Sequence, residues 1–272
     1  ERLLPSIWDR PYLNKPPGLH WMISFAIGIS RNLQNNFKLL PSEFCIRFFP
    51  ALFSTFVVPL GALIQWNLRP KDRIACITTS AILLTLLPII RYGRMAMLDG
   101  TQLSAIALLW FCLSSIKNNK SNKFNFLGAG FACSFILLLK APVIIPALFA
   151  SFLPLIWEYK SQKYFNNFSW AWFFYGLIPG FAWHLWNIFS YGSGALWLWW
   201  GDGAGRVLFE KGSGSDLGFL VPIIEILEGG WPWILVWPIG FLWACFSLNT
   251  RWGVWAFSTQ IIIAGSILPL KM

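Results

Sequence analysis

The sequence predicts an all-α membrane helix bundle, and three observations carry that prediction. The 272-residue chain is 56% hydrophobic and only 12% charged, whereas soluble domains carry about 25% charge. Its apolar stretches recur along nearly the whole length, which describes a polytopic protein rather than a globular domain on one anchor. Its basic residues collect in short loops that alternate with those stretches, as the positive-inside rule requires. These loops also account for much of the net charge of +10. Nucleic-acid binding would need a solvated basic face, and the spread of charge provides none.

Taken in order, residues 1–43 read as an outer loop. Within it, 18–30 is apolar but has only 13 residues, so it is expected to lie along the interface rather than cross the bilayer. Spans are expected at 44–66, 74–90, 100–116, 124–140, 142–157, 169–189, 231–248 and 252–269, several of them near 17 residues, the short end for a crossing helix. Residues 1–272 therefore form one transmembrane domain, with about eight spans over 44–272. The chain starts at Glu1 and stops at Met272 directly after an apolar run, and it is expected to be truncated at both ends. Cys45, Cys76, Cys112, Cys133 and Cys245 show no metal-ligand spacing and read as small buried apolar residues.

Loop charge sets the orientation. Arg69–Arg73, Lys117–Lys123, Tyr159–Lys163 and the turn at Arg251 alternate correctly with the spans and can all be cytoplasmic. With Glu158 they hold nine basic and two acidic residues, giving +7 inside and +3 outside. Inner loops look like plain topology signals. The outer segments 1–43, 91–99 and 190–230 are longer and mix both signs with aromatics, Pro and Gly, so chemistry is expected on the outer side. Trp197, Trp199 and Trp200 form an aromatic belt there, as interfacial anchors or a sugar-stacking platform.

Several outer residues could carry chemistry. Pro16 and Pro17 hold the backbone extended at Lys15, so this cation is positioned rather than floppy. It is either a phosphate ligand or a snorkelling interface lysine. Arg94 and Asp99 share a loop of about nine residues, as a structural ion pair or a polar site floor. Lys140, before Ala141-Pro142, caps a helix C-terminus or faces a lipid phosphate. His184 is a hydrogen-bonded core residue, a metal ligand or an acid/base group. His20, on the interfacial helix beside Trp21, is the weaker histidine candidate. The glycine-rich stretch 201–216 lacks the phosphate-loop and dinucleotide signatures. It is a flexible outer loop or a substrate cover in which Arg206 binds an anion.

Pro5, then Pro11-Tyr12-Leu13-Asn14-Lys15-Pro16-Pro17 and Trp21, resemble the first outer loop of the GT-C membrane glycosyltransferases. The nearest groups are the bacterial aminoarabinose lipid A transferases and the protein O-mannosyltransferase relatives. Arg47-Phe-Phe-Pro50, Arg94 through Asp99, Lys140-Ala-Pro142, Trp183-His184 with Arg206, and Gly230-Trp-Pro-Trp233 resemble further family segments in order. Each match is short, and together they cover essentially the whole chain.

The resemblance implies a GT-C helix bundle with an outer active site beneath amphipathic loop helices. It implies transfer of a sugar from a polyprenyl-phosphate donor to a lipid, glycan or protein acceptor, at the outer face of the inner (plasma) membrane. Lys15, Arg94, Lys140 and Arg206 would bind the donor phosphate, and Asp99 would match a supporting carboxylate; His184, Asn14 and Tyr12 are further site candidates. The family's main carboxylate pair would lie upstream of residue 1, so residues 1–272 alone are expected to be inactive. Asn14 stands where the family has an acidic residue. An amide oxygen is a poorer cation ligand, which leaves a divalent-cation role open. Membrane lipids are the other expected partners. A transporter or flippase of polyprenyl-linked sugars is the alternative. It would place polar groups near the bilayer midplane, often in two related halves, whereas the charges here gather at the outer ends of spans.

Overall fold

The computed structural model describes residues 4–7, 10–13, 15–34, 41–116, 122–162, 170–199 and 220–267. It is helical apart from one antiparallel pair of two-residue strands, β1 (Ser6–Ile7) and β2 (Arg10–Pro11). The sequence gives no alternation long enough to predict that hairpin. Helix α1 (Gly18–Gln34) starts directly after Pro16-Pro17 and runs four residues beyond its expected end at 30.

α2 (Glu43–Thr55) is capped by the Ser42 hydroxyl, which accepts from the Cys45 N–H at 3.2 Å. It continues through Phe56 into α3 (Val57–Leu68), giving an uninterrupted apolar run of 26 residues that is long enough to cross a membrane. Asp72 caps α4 (Arg73–Thr85), accepting from the Ala75 N–H at 3.0 Å. The expected span at 74–90 is bent by 57° between α4 and α5 (Leu87–Gly93). Pro88 has no N–H for the helical ladder, and Leu86 is extended at ψ 121°.

α6 (Leu98–Ser114), α7 (Lys123–Lys140), α8 (Ile144–Gln162) and α9 (Trp170–Tyr191) follow. Residues 123–158 are apolar enough to count as one 36-residue run. Lys140 interrupts that run at φ −155°, ψ 93°, followed by the 3-10 turn Ala141–Val143. The Trp170 ring touches both Phe126, at the start of α7, and Phe152, at the middle of α8. The two helices therefore run antiparallel, as the separate spans 124–140 and 142–157 require. Beyond α10 (Ser193–Trp199) lie α11 (Leu220–Gly230), α12 (Trp237–Phe246) and α13 (Arg251–Ile267). The span expected at 231–248 is not one helix: a 3-10 turn at Trp233–Leu235 precedes α12.

α7 is the buried centre, with Phe126, Ala129, Ala132, Cys133, Ile136 and Leu139 inaccessible to solvent. Outward-facing Phe and Ile side chains such as Phe124, Phe131, Phe149, Phe174 and Ile178 remain exposed, as expected where lipid rather than water is the solvent. α7 and α9 meet backbone to backbone through Gly130, Gly176 and Gly180; a Cβ on Gly176 would lie 2.3 Å from the Leu127 carbonyl oxygen. Small residues four apart permit such an approach.

One end of the bundle is tied by a polar cluster that corrects the view of the inner loops as plain topology signals. Arg251 donates from Nε to Glu158 Oε1 at 2.8 Å and from Nη2 to the Ile116 carbonyl at 3.2 Å. Trp255 Nε1 donates to the same Glu158 oxygen at 2.7 Å. Asn67 Nδ2 donates to the Ser115 hydroxyl at 2.7 Å. Arg69 pairs with Asp72 at 2.7 Å and lies 5.1 Å over the Trp243 ring and 5.5 Å over Trp252. The flanks of the loops assigned to one side thus meet at one end of the fold.

Glu158→Ala should strand Arg251 and Trp255 Nε1. The expected cost is about 2 kcal/mol, below the 3–5 kcal/mol of a fully buried pair, because the Arg251 side chain keeps 26% of its exposure. Thermal melting of the detergent-solubilised protein measures it, and an unshifted transition would contradict the clamp.

Candidate functional site

The opposite end gathers the outer candidates. The first loop is seated by packing: Leu4, Leu13 and Trp21 form an apolar cluster with Leu138 of α7 and Trp183 and Trp186 of α9. Pro16, Pro17 and Gly18 are buried. Gly18 lies directly on the backbone of Leu138, where a Cβ would come within 2.7 Å of the carbonyl oxygen. Lys15 is half-buried, three residues before that contact and above the turn of α7 that ends at Lys140. The prolines and Gly18 thus hold Lys15 in place, as the sequence predicts.

Tyr12 meets the His20 ring edge-on at 6.1 Å between centroids. Burial lowers the His20 pKa below 6.5; the Lys15 charge adds to this, and the Pro16 carbonyl offsets part of it. His20 is therefore neutral at pH 7. Its folded pKa lies below the unfolded value, so the unfolded chain binds more protons in the window between them. Stability is complete above pH 6.5 and falls as pH drops through the lowered folded value. Corrected for the base-catalysed intrinsic rate, hydrogen-exchange protection of the amides at 18–21 is expected to fall from pH 7 to pH 5, and His20→Gln to flatten that dependence. Equal pH profiles would refute it.

Arg94 caps the C-terminus of α5 and is exposed; Asp99 lies in the first turn of α6 and is exposed. Their backbones are near, because a Cβ on Gly100 would lie 3.0 Å from the Gly93 Cα. No ion pair joins Arg94 to Asp99 among the described residues, so the structural-pair alternative falls. One turn after Asp99, Gln102 is buried and donates from Nε2 to the Lys140 carbonyl at 3.4 Å. The Gly93–Gly100, Gln102–Lys140 and Gly18–Leu138 contacts thus bring the backbone at Arg94, Asp99, Lys140 and Lys15 toward one end of the fold.

His184 is buried, and its Nε2–H donates to the Leu137 carbonyl at 3.1 Å, which fixes the Nε2-protonated tautomer. The Trp183 and Trp199 rings lie 4.9 and 5.4 Å from it. This is the hydrogen-bonded core alternative, and it locks α9 to α7 at this end. Trp199 faces inward against His184, so it is more than a belt residue. Asn187, one turn on, was not anticipated: it is fully buried, and neither amide atom has a hydrogen-bond partner among the described residues. A polar amide inside an apolar helix was the available signal.

Arg206, Asn14 and Trp200 lie outside the described residues, as does the side chain of Trp197. Among the described residues no group of three or more His, Cys, Asp or Glu stands close enough to hold a metal ion. A cavity of about 280 Å³ beside the first loop is lined by Leu4, Pro5, Ser6, His20, Trp21, Ile23 and Ser24. A second, of about 480 Å³, is lined by residues of α5 and α11 and by Leu86 between α4 and α5. Neither is lined by Lys15, Arg94 or Lys140.

The family model described as dolichyl-phosphate-mannose-protein mannosyltransferase matches residues 28–178, more than half of the chain. No curated protein and no solved structure matches. The matched stretch carries Arg94, Asp99 and Lys140, while Lys15 precedes it and His184 follows it.

Proposed function

Because the chain belongs to the dolichyl-phosphate-mannose-protein mannosyltransferase family, we propose that it moves a sugar from a polyprenyl phosphate to an acceptor at the extracytoplasmic face of the plasma membrane. The chain is an integral membrane protein of a family that transfers a glycosyl group from a lipid-linked donor. What supports the finer reading is that backbone contacts bring the segments bearing Lys15, Lys140, Arg94 and Asp99 to one end of the bundle.

In this reaction the acceptor hydroxyl gives its proton to the main carboxylate that the family resemblance implies, and its oxygen attacks the anomeric carbon. The bond from that carbon to the phosphate oxygen breaks, and its electron pair leaves on the phosphate. Negative charge grows there as the bond breaks, so cations placed in advance stabilise the transition state more than the ground state. Two unit charges 4 Å apart near a protein surface attract by about 4 kcal/mol. Lys15, Lys140 and Arg94 are the residues assigned to hold the phosphate, with Arg206 as the fourth by family resemblance. Asp99 orients the site, carrying negative charge next to Arg94 without neutralising it. The orphaned amide of Asn187 supports a polar ligand at this end, since an unsatisfied buried group costs roughly 1–3 kcal/mol. Charges gathered at the ends of the helices rather than at their middles favour this enzyme over a flippase.

The test is transfer by the complete protein, including the upstream carboxylate pair that the resemblance implies, in proteoliposomes with polyprenyl-phosphate mannose as probe. Consumption of the donor with matching release of polyprenyl phosphate is expected. Movement of intact donor between leaflets without cleavage would overturn the enzyme reading.

A further inference from the structure

The cavity between α5 and α11 belongs to neither the proposed donor site nor the inner clamp. Its walls are built and pinned. The 57° bend at Leu86 creates the concavity. Gly229 abuts the Pro88 ring, where a Cβ would come within 2.6 Å of Cγ. Trp233 Nε1 donates to Thr85 Oγ1 at 2.8 Å. The resulting space of about 480 Å³ has an apolar side (Leu86, Leu87, Pro88 and Ile226) and a charged side (Arg91, Tyr92 and Glu228). That volume lies within the usual range of ligand sites.

The charged side is informative because it is incomplete. The Arg91 guanidinium lies 5.6 Å over the Tyr92 ring. Arg91 and Glu228 line the same cavity, yet no ion pair joins them. Both side chains are exposed at the cavity, so each is open to a ligand there. A simple anion would satisfy Arg91 and be repelled by Glu228, and a simple cation would do the reverse. A ligand carrying both charges a short distance apart satisfies both.

We propose that this cavity binds a zwitterionic phospholipid of the phosphatidylethanolamine class. Its phosphate meets Arg91, its primary ammonium donates to Glu228, and its acyl chains leave along Leu86, Leu87 and Ile226. Ethanolamine suits the site better than choline, because a quaternary ammonium has no N–H to give Glu228. Glu228 lies outside the stretch matched by the family model, and the inference does not rest on the proposed sugar transfer.

Native mass spectrometry of the detergent-solubilised full chain tests this, with phosphatidylethanolamine, phosphatidylcholine and phosphatidylglycerol of equal chain length offered in equal amounts. Wild type is expected to retain one phosphatidylethanolamine about tenfold over either competitor, as one charge-assisted contact allows. Glu228→Gln should bring that ratio to phosphatidylglycerol to about one, and Arg91→Gln should lower retention of all three. Ile226→Trp, which fills the cavity and keeps both charges, should also abolish retention. Arg91 and Glu228 are exposed, so these variants should fold, and monodisperse elution checks it. Equal retention of the three lipids by wild type would overturn the proposal. So would a preference untouched by Glu228→Gln and Ile226→Trp, or displacement of the lipid by polyprenyl phosphate.

Discussion

Lys15→Ala is expected to lower sugar transfer about 100-fold or more in kcat/KM while leaving expression and melting temperature unchanged. Removing one preorganised group that faces developing negative charge typically costs 10²–10³ in rate. Lys15 suits that role because its cost is already met by the chain around it. Pro16 and Pro17 remove backbone freedom, and Gly18 is fixed on Leu138. The ammonium is therefore held near the end of α7 without being consumed by an ion pair among the described residues. Folding should survive because the seat of the loop is Leu4, Leu13 and Trp21, not the lysine. Arginine keeps the charge but not the compact point geometry, so Lys15→Arg should recover part of the activity. Transfer by Lys15→Ala at the wild-type rate would remove Lys15 from the mechanism.

Gly176→Leu is expected to be the most damaging single change to the fold. The Gly176 backbone lies against Leu127 and Phe131 of α7, with the Leu127 carbonyl oxygen 2.3 Å from where a Cβ would stand. These are backbone atoms and cannot turn aside as a side chain would. The helices must separate, which breaks the Ser134 hydroxyl bond to the Gly176 carbonyl at 2.8 Å and the Gly180 N–H bond to Ser134 Oγ at 3.1 Å. Overpacking costs 1–3 kcal/mol where neighbours can yield, so about 3 kcal/mol or more is expected here. Because the same crossing positions His184 on Leu137, transfer activity should fall with stability. Gly28→Ala is the control: its added methyl meets nothing within 4 Å, and the melting temperature should hold or rise. A Gly176→Leu protein as stable as Gly28→Ala would refute the close-packed crossing.

The helices were legible because hydrophobic length is a local property. Among the described residues the expected spans fall largely on helix, with 74–90 bent and 231–248 broken by a 3-10 turn, and the antiparallel turn at Lys140 follows from Ala141-Pro142. The bend at Leu86 was within reach, since Pro88 marks it. What escaped the sequence depends on partners far apart in the chain. Nothing near Glu158 says that Arg251 will meet it, and nothing near Gly130 says that Gly176 will press on it. Charge patterning read the inner loops as orientation signals and could not show that Arg69 would lie over two tryptophans. At the candidate site, the positioning of Lys15 was legible from its prolines. The nearness of Arg94 to Asp99 was legible too, though not their failure to pair. Asn187 shows in the sequence only as a polar amide in an apolar helix, and its burial, like the Arg91–Glu228 cavity, needed three dimensions.

A structure of the full chain with polyprenyl phosphate bound puts the central claim to its sharpest test. The phosphate oxygens are expected within roughly 3 Å of Lys15 Nζ, the reach of a charge-assisted hydrogen bond, and beside Lys140 or Arg94. A headgroup seated elsewhere, with Lys15 still facing solvent, would contradict the account.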